Sequence, residues 1–107
     1  MLTFVNNHLD YAYGQNDYEL VAKDGQQVVG VITYATTPPE KVVYIQHIEV
    51  KPSYRNQGLG QQLIKQLLRN NLGHKINWGM TTPDGTRLKA SLERQGYTRF
   101  FEWLKQR

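Results

Sequence analysis

The chain has 107 residues and a formal net charge of +4, which gives room for one hydrophobic core and not two. Its 39% hydrophobic and 21% charged residues exclude a wholly disordered protein. The absence of cysteine excludes a disulfide framework, a thiol nucleophile and a Cys-based zinc site, and three scattered histidines give no reason to expect a metal. The positive balance favours an anionic ligand such as a phosphorylated cofactor.

Residues 1–10 have no basic start followed by an apolar run, and no stretch approaches the roughly 20 apolar residues of a membrane span. The expectation is a cytoplasmic protein with no membrane partner. Residues 2–5 read as a short strand, and residues 6–17 are polar without a clear period. Residues 18–23 and 26–36 read as strands joined at Asp24-Gly25, an antiparallel hairpin signal. Val28, Val29, Val31 and Ile32 suit a strand buried on both faces.

After the breaker Thr37-Pro38-Pro39-Glu40, Val42–Val50 reads as a strand. Strict alternation puts Val42, Tyr44, Gln46, Ile48 and Val50 on one face, and Val43, Ile45, His47 and Glu49 on the other. The period then becomes helical. Leu59, Leu63, Ile64, Leu67, Leu68 and Leu72 form one apolar stripe, and Asn70, Asn71 and Gly73 supply the stop. A strand is expected over 75–82, a turn over 83–86, a short helix carrying Leu88, Ala90 and Leu92 and closed by Gly96, and an aromatic strand over 97–104. After residues 2–5 the order is strand, strand, strand, helix, strand, helix, strand. This predicts an α/β (α+β) single domain over 1–107, with a mixed, mostly antiparallel sheet and one right-handed parallel crossover between residues 42 and 82.

The chemistry is concentrated at Arg55-Asn56-Gln57-Gly58-Leu59-Gly60, between a strand and the long helix. The first N–H groups of a helix lack internal partners and carry the positive end of its dipole. Glycines at 58 and 60 remove Cβ atoms from the path of an approaching phosphate, and Arg55 adds a fork of donors.

Placed after Ile48-Glu49-Val50 and Lys51-Pro52-Ser53-Tyr54, this segment resembles the signature Q/R-x-x-G-x-G/A of the GNAT superfamily of N-acetyltransferases. Ala90-Ser91-Leu92-Glu93-Arg94-Gln95-Gly96-Tyr97 is similar to the family's second, weaker feature. The resemblance covers residues 18–104. It implies acetyl-CoA as co-substrate. The N–H groups of Gln57, Gly58, Leu59 and Gly60, with Asn56 in the same loop and Arg55, would hold the pyrophosphate. The main chain of Ile48, Glu49 and Val50 would pair with the pantetheine arm, and the Val50 N–H would stabilise the developing oxyanion. An amine, from a small molecule or a protein, would attack the thioester directly.

The chain departs from the family at Leu92, where a tyrosine acid is common, and at Gly85, where an asparagine often stands. It also departs at Tyr44 and Met80, the positions aligned with a glutamate base. Residues 6–17 have no counterpart of the two helices that usually follow the first strand. A base is still required, because an alkyl ammonium has a pKa of roughly 10. Glu49 and His47, on one strand face, are the candidates, and Tyr97 and Tyr44 are candidate acids. Trp78, Phe100, Phe101 and Trp103 read as core or interface aromatics, with Phe101 and Trp103 able to support a homodimer contact. Two other readings stand beside this one: a non-catalytic acyl-CoA-binding module, and a small basic nucleic-acid-binding domain. The second is disfavoured because the basic residues form no stripe.

Overall fold

The computed structural model describes residues 1–79 and 83–101. Five strands, β1 (Leu2–Ala12), β2 (Gln15–Asp24), β3 (Gln27–Thr36), β4 (Val42–Val50) and β5 (Lys75–Asn77), form one sheet in sequence order. The first four are antiparallel neighbours, and β5 runs parallel to β4. Helix α1 (Leu59–Asn70) connects β4 to β5, and helix α2 (Pro83–Arg94) packs beside α1. The mixed, mostly antiparallel sheet with helices is the architecture the sequence predicts.

Register assigns the faces. The rows Phe4–Ala22–Gly30–Val50, Asn6–Leu20–Ile32–Ile48 and His8–Tyr18–Tyr34–Ile45 look toward the helices. The rows Val5–Val21–Val31–Glu49 and Asn7–Glu19–Thr33–His47 look the other way, onto a face that carries no helix among the described residues. The core lies between sheet and helices. Leu20, Ala22, Val29, Ile32, Tyr34 and Val43 meet Leu59, Leu63, Ile64 and Leu67 of α1 and Leu92 of α2. Helix α1 sits close to the sheet because β3 has a glycine beneath it. A Cβ at Gly30 would stand 3.0 Å from Leu63 Cδ1. Burial raises the pKa of the Tyr34 phenol, and its hydroxyl donates to Asn6 Oδ1 at 2.6 Å.

The structure corrects several expectations. The short strand expected over residues 2–5 is longer: β1 runs on through the polar stretch to Ala12 and returns as β2 through Tyr13 and Gly14, both at positive φ. Two central residues with φ > 0 define the tight hairpin turn that suits the strand twist. Asn, Asp and His at an exposed edge hide this strand from a reading based on hydrophobic period. The turn between β2 and β3 lies one residue later than predicted. Asp24 pairs with Gln27, leaving Gly25 and Gln26 as the central pair. Strand β3 is buried mainly on one face. A bulge between the Ala22–Gly30 and Lys23–Val28 pairs turns Val29 inward, and Val28 is 53% exposed.

A second bulge breaks the alternation of β4. Thr33 pairs with His47 but Tyr34 pairs with Ile45, so Gln46 is the extra residue. Val43 and Ile45 therefore share the helix-facing side with Ile48 and Val50, and Tyr44 shares the other side with His47 and Glu49.

Helix α1 stops at Asn70, with the Asn71 side chain donating to Leu67 O at 2.9 Å, and Leu72 is 81% exposed beyond the stripe. The predicted turn over 83–86 is the first turn of α2. Of the last strand expected over 97–104, Tyr97–Phe100 is instead a 3-10 helix, Phe101 is extended and makes a parallel bridge to Ile76, and 102–104 lie outside the described residues. Phe101 is buried in the core against Trp78, whereas Trp103 lies outside the described residues. Strand β5 ends at Asn77, and Met80 also lies outside the described residues.

Leu63 is fully buried over Gly30. Leu63→Ala is expected to lower stability by about 2–5 kcal/mol in urea unfolding, because the helix cannot collapse into the space. A loss below about 0.5 kcal/mol, the range of ordinary surface changes, would show that α1 is not anchored there.

Candidate functional site

The site is built where β5 parts from β4. The two strands pair only over Val42–Lys75, Val43–Ile76 and Tyr44–Asn77. Asn77 then turns the chain, its Oδ1 accepting the Gly79 N–H at 2.8 Å. Beyond Tyr44, β4 keeps β3 on one side and has no strand on the other among the described residues. An open parallel edge of this kind accepts an extended, amide-bearing ligand as an added strand.

The far end of that edge leads to the mouth of α1. Pro52–Tyr54 forms a 3-10 turn, Arg55 is extended, Asn56 has φ 63°, and Gly58 is the N-cap of α1 at φ 80°. The first turn of α1 contains no acidic residue, so the amides of Leu59, Gly60 and Gln61 keep their positive field. The two glycines have different roles. Gly58 is required by its left-handed conformation, and a Cβ there would meet nothing within 4 Å, so the mouth is open on that side. A Cβ at Gly60 would stand 3.3 Å from Leu88 Cδ2, so Gly60 lets α2 approach α1. The contact is reinforced by Gln61 Nε2 donating to Ser91 Oγ at 2.8 Å and Gln95 Nε2 donating to Gln61 Oε1 at 2.7 Å. Gly58 thus borders open space, whereas Gly60 has a packing role against Leu88 that the sequence reading did not include.

Arg55 Nε donates to Val50 O at 3.0 Å, and Gln57 Nε2 donates to Ser53 O at 3.0 Å. Arg55 thus braces the end of β4 through one edge of its guanidinium and occupies the Val50 carbonyl. The loop is also tied to the sheet. Tyr54 Oη donates to Asp24 Oδ2 at 2.7 Å, and the Met1 ammonium donates to Asp24 Oδ1 at 3.1 Å. The Tyr54 hydrogen bond, then the ammonium, hold the Asp24 carboxyl below the usual carboxylate range. The same bond raises the Tyr54 phenol. This tether carries no hydrophobic or motif signal and is invisible in the sequence.

His47 and Glu49 stand together on the helix-free face, with Nε2 to Oε1 at 3.7 Å and side-chain exposures of 60% and 65%. That separation permits an ion pair but not a direct hydrogen bond. Tyr97 is not with them. It lies in the helix layer, its ring under Lys65 Nζ at 5.4 Å and near Phe100. Leu92 is fully buried, so the position of the family's acid is filled by core. Ile48 and Val50 support the edge from the helix-facing side. One feature was missed altogether: Trp78 Nε1, just past the last β4–β5 pair, is a buried side-chain donor without a partner among the described residues.

A mixed sheet whose one parallel pair parts beside a helix mouth without a side-chain cap is the arrangement expected of the acetyltransferase (GNAT) fold. The chain matches the model of the acetyltransferase (GNAT) family over residues 3–97, and it belongs to that family. It is 46% identical over 55 residues to the L-2,4-diaminobutyric acid acetyltransferase of Shouchella clausii (strain KSM-K16), a match covering 50% of this chain and 30% of that protein. Among solved structures, a GNAT-family acetyltransferase from Streptococcus pneumoniae TIGR4 superposes over 100% of both chains, with a TM-score of 0.64 and 19% identity. The aminoglycoside N-acetyltransferase AAC(6')-Iy in complex with CoA covers 85% of this chain and 75% of its own, at TM-score 0.56 and 20% identity. An IAA acetyltransferase from Bacillus cereus ATCC 14579 covers 71% of this chain and 53% of its own, at TM-score 0.57 and 23% identity. The chain thus spans less than a third of the curated relative's length.

The Asp24–Tyr54 bond needs an ionised carboxylate and a neutral phenol. Its stabilisation is complete above the usual carboxylate range and lost as pH falls through the depressed Asp24 value; at the other end it is lost as pH rises through the raised Tyr54 value. Tyr54→Phe is expected to raise the Asp24 titration midpoint, read by carboxyl NMR, toward that of a free aspartate. An unmoved midpoint would show that the hydroxyl does not set it.

Proposed function

We propose that the protein transfers an acetyl group from acetyl-CoA to an amine, and that the coenzyme lies along the open β4 edge with its phosphates at the α1 mouth. The single observation carrying this reading is the parting of β4 and β5 next to a helix N-terminus whose cap residue, Gly58, faces open space. The residues present fit the group. The Leu59, Gly60 and Gln61 amides suit a diphosphate, Lys51 and Arg55 add positive charge, and the edge from Ile45 to Glu49 suits the amides of pantetheine. Because Arg55 engages the Val50 carbonyl, strand-like pairing belongs to the β4 edge before that carbonyl.

In the reaction the amine nitrogen forms a bond to the thioester carbonyl carbon, the C–S bond breaks, and the thiolate takes up a proton. The chain's part is to orient the arm, to present main-chain donors at the edge, and to take the proton from the incoming ammonium. His47 and Glu49 are the groups for that last task, on the face through which an amine can approach. The sheet and helix layer separate Tyr97 from them, so the reading gives Tyr97 no catalytic part. The name of the Shouchella relative points toward a small diamino compound as acceptor.

A second reading, an acyl-CoA-binding module without turnover, is favoured by one observation: Leu92 is buried core at the position where the family places a hydroxyl acid. Calorimetry paired with a thiol-release assay separates the two. Gly58→Glu is expected to abolish coenzyme binding by filling the mouth with a carboxylate. Glu49→Gln or His47→Gln is expected to leave binding intact and lower kcat by about 10²–10⁴-fold, the range for a general base. Tight binding with no thiol release on a broad amine panel supports the module, and unchanged binding by Gly58→Glu would remove the helix mouth from the site.

A further inference from the structure

The end of α1 away from the coenzyme mouth borders a cavity. The C-terminal half of the helix, the turn after it and the 3-10 helix Tyr97–Phe100 enclose about 230 Å³. Leu68, Leu72, Tyr97 and Phe100 supply apolar walls, and Lys65 and Arg69 stand on the α1 side. Four residues apart on a helix, the two cations share one face. About 15 Å of helix separates Leu59 at the mouth from Arg69. Leu72, 81% exposed, carries the apolar wall out toward solvent, where a bound molecule would cover it.

Both cations are held in place by neutral groups. Lys65 Nζ donates to Gln95 Oε1 at 3.3 Å and lies 5.4 Å from the centre of the Tyr97 ring. Arg69 Nη1 donates to Gln66 Oε1 at 3.0 Å. Neither pairs with a carboxylate among the described residues, and no aspartate or glutamate lines the cavity. The carbonyl end of a helix repels an anion. Here the Leu67 and Leu68 carbonyls accept from the Asn71 side chain and the Asn71 N–H, which weakens that repulsion. What remains is an apolar hollow edged by positive charge that nothing in the fold neutralises. Its size sets the ligand. A cavity of about 150 Å³ holds benzene, so this one takes a single ring with a short acid chain and is too small for a coenzyme.

We propose that this cavity binds a small aromatic carboxylate, with the ring against Leu68, Tyr97 and Phe100 and the carboxylate between Lys65 and Arg69. Flat aromatic walls suit a ring packed offset or edge-on, and two cations already fixed in position lose little freedom on binding. The inference does not depend on the coenzyme reading, whose residues lie at the other end of α1.

The test is an amide NMR titration of the full chain with three probes at constant pH and ionic strength: 3-phenylpropionate, the uncharged 3-phenylpropanol, and propionate, which lacks the ring. Saturable shifts are expected with 3-phenylpropionate at residues 65–74 and 97–100, with an affinity about ten-fold or more above either control. Replacing both cations, Lys65→Gln with Arg69→Gln, is expected to weaken 3-phenylpropionate about ten-fold and leave 3-phenylpropanol unchanged, as for loss of a charge-assisted hydrogen bond. Equal affinity for 3-phenylpropionate and 3-phenylpropanol overturns the inference, because the cavity would then not select an anion. Shifts confined to other segments, or no saturation by about 10 mM, overturn it as well. The three wild-type titrations decide the matter without any variant.

Discussion

The architecture depends on β4 having two different neighbours along its length. On one side it is paired with β3 from Val43 to Val50 apart from the bulge at Gln46; on the other, β5 accompanies it for three residues and leaves. A backbone edge inside a domain is normally paired or solvated, because unpaired peptide groups removed from water are costly. Among the described residues β4 has no strand on that side beyond Tyr44, and this edge leads to the positive end of a helix, a local concession that a bound strand-like ligand would reverse.

The remaining structure holds that edge in place. Gly30 brings α1 down onto the sheet and Gly60 brings α2 against α1. Each does so by lacking a side chain at a contact, a packing role that in sequence looks the same as phosphate clearance. Arg55 and Tyr54 pin the loop between β4 and α1 from two directions, one through the Val50 carbonyl and one through Asp24. The helix mouth is thereby held at the end of the strand edge, so that phosphates and an extended arm of one ligand could be engaged together.

Much of this was legible in the sequence, for identifiable reasons. Leu59, Leu63, Ile64 and Leu67 give a helical period that burial confirms, and Arg55 to Gly60 announce the helix entrance because few other structures need that combination. The failures have physical causes. A bulge inserts one residue and reverses every later side chain, so Val43 and Ile45 could not be placed correctly by alternation. The outer half of β1 is held by pairing with β2 rather than by burial, so no hydrophobic pattern marks it. Tyr97 and Phe100 carry strand propensity, but they pack against the core from a 3-10 turn, a case of tertiary contacts overriding local preference, and only Phe101 after them is extended. The Trp78 donor needed coordinates, since only burial without a partner makes it unusual.

Amide hydrogen exchange with and without acetyl-CoA tests the central claim most directly, because it reads the backbone of the edge itself. Saturating ligand is expected to slow exchange at amides within Ile45–Glu49 and at Leu59 and Gly60, leaving the β1–β2 hairpin as it was. Slowing confined to other segments, with β4 and the α1 entrance unchanged, would contradict the account.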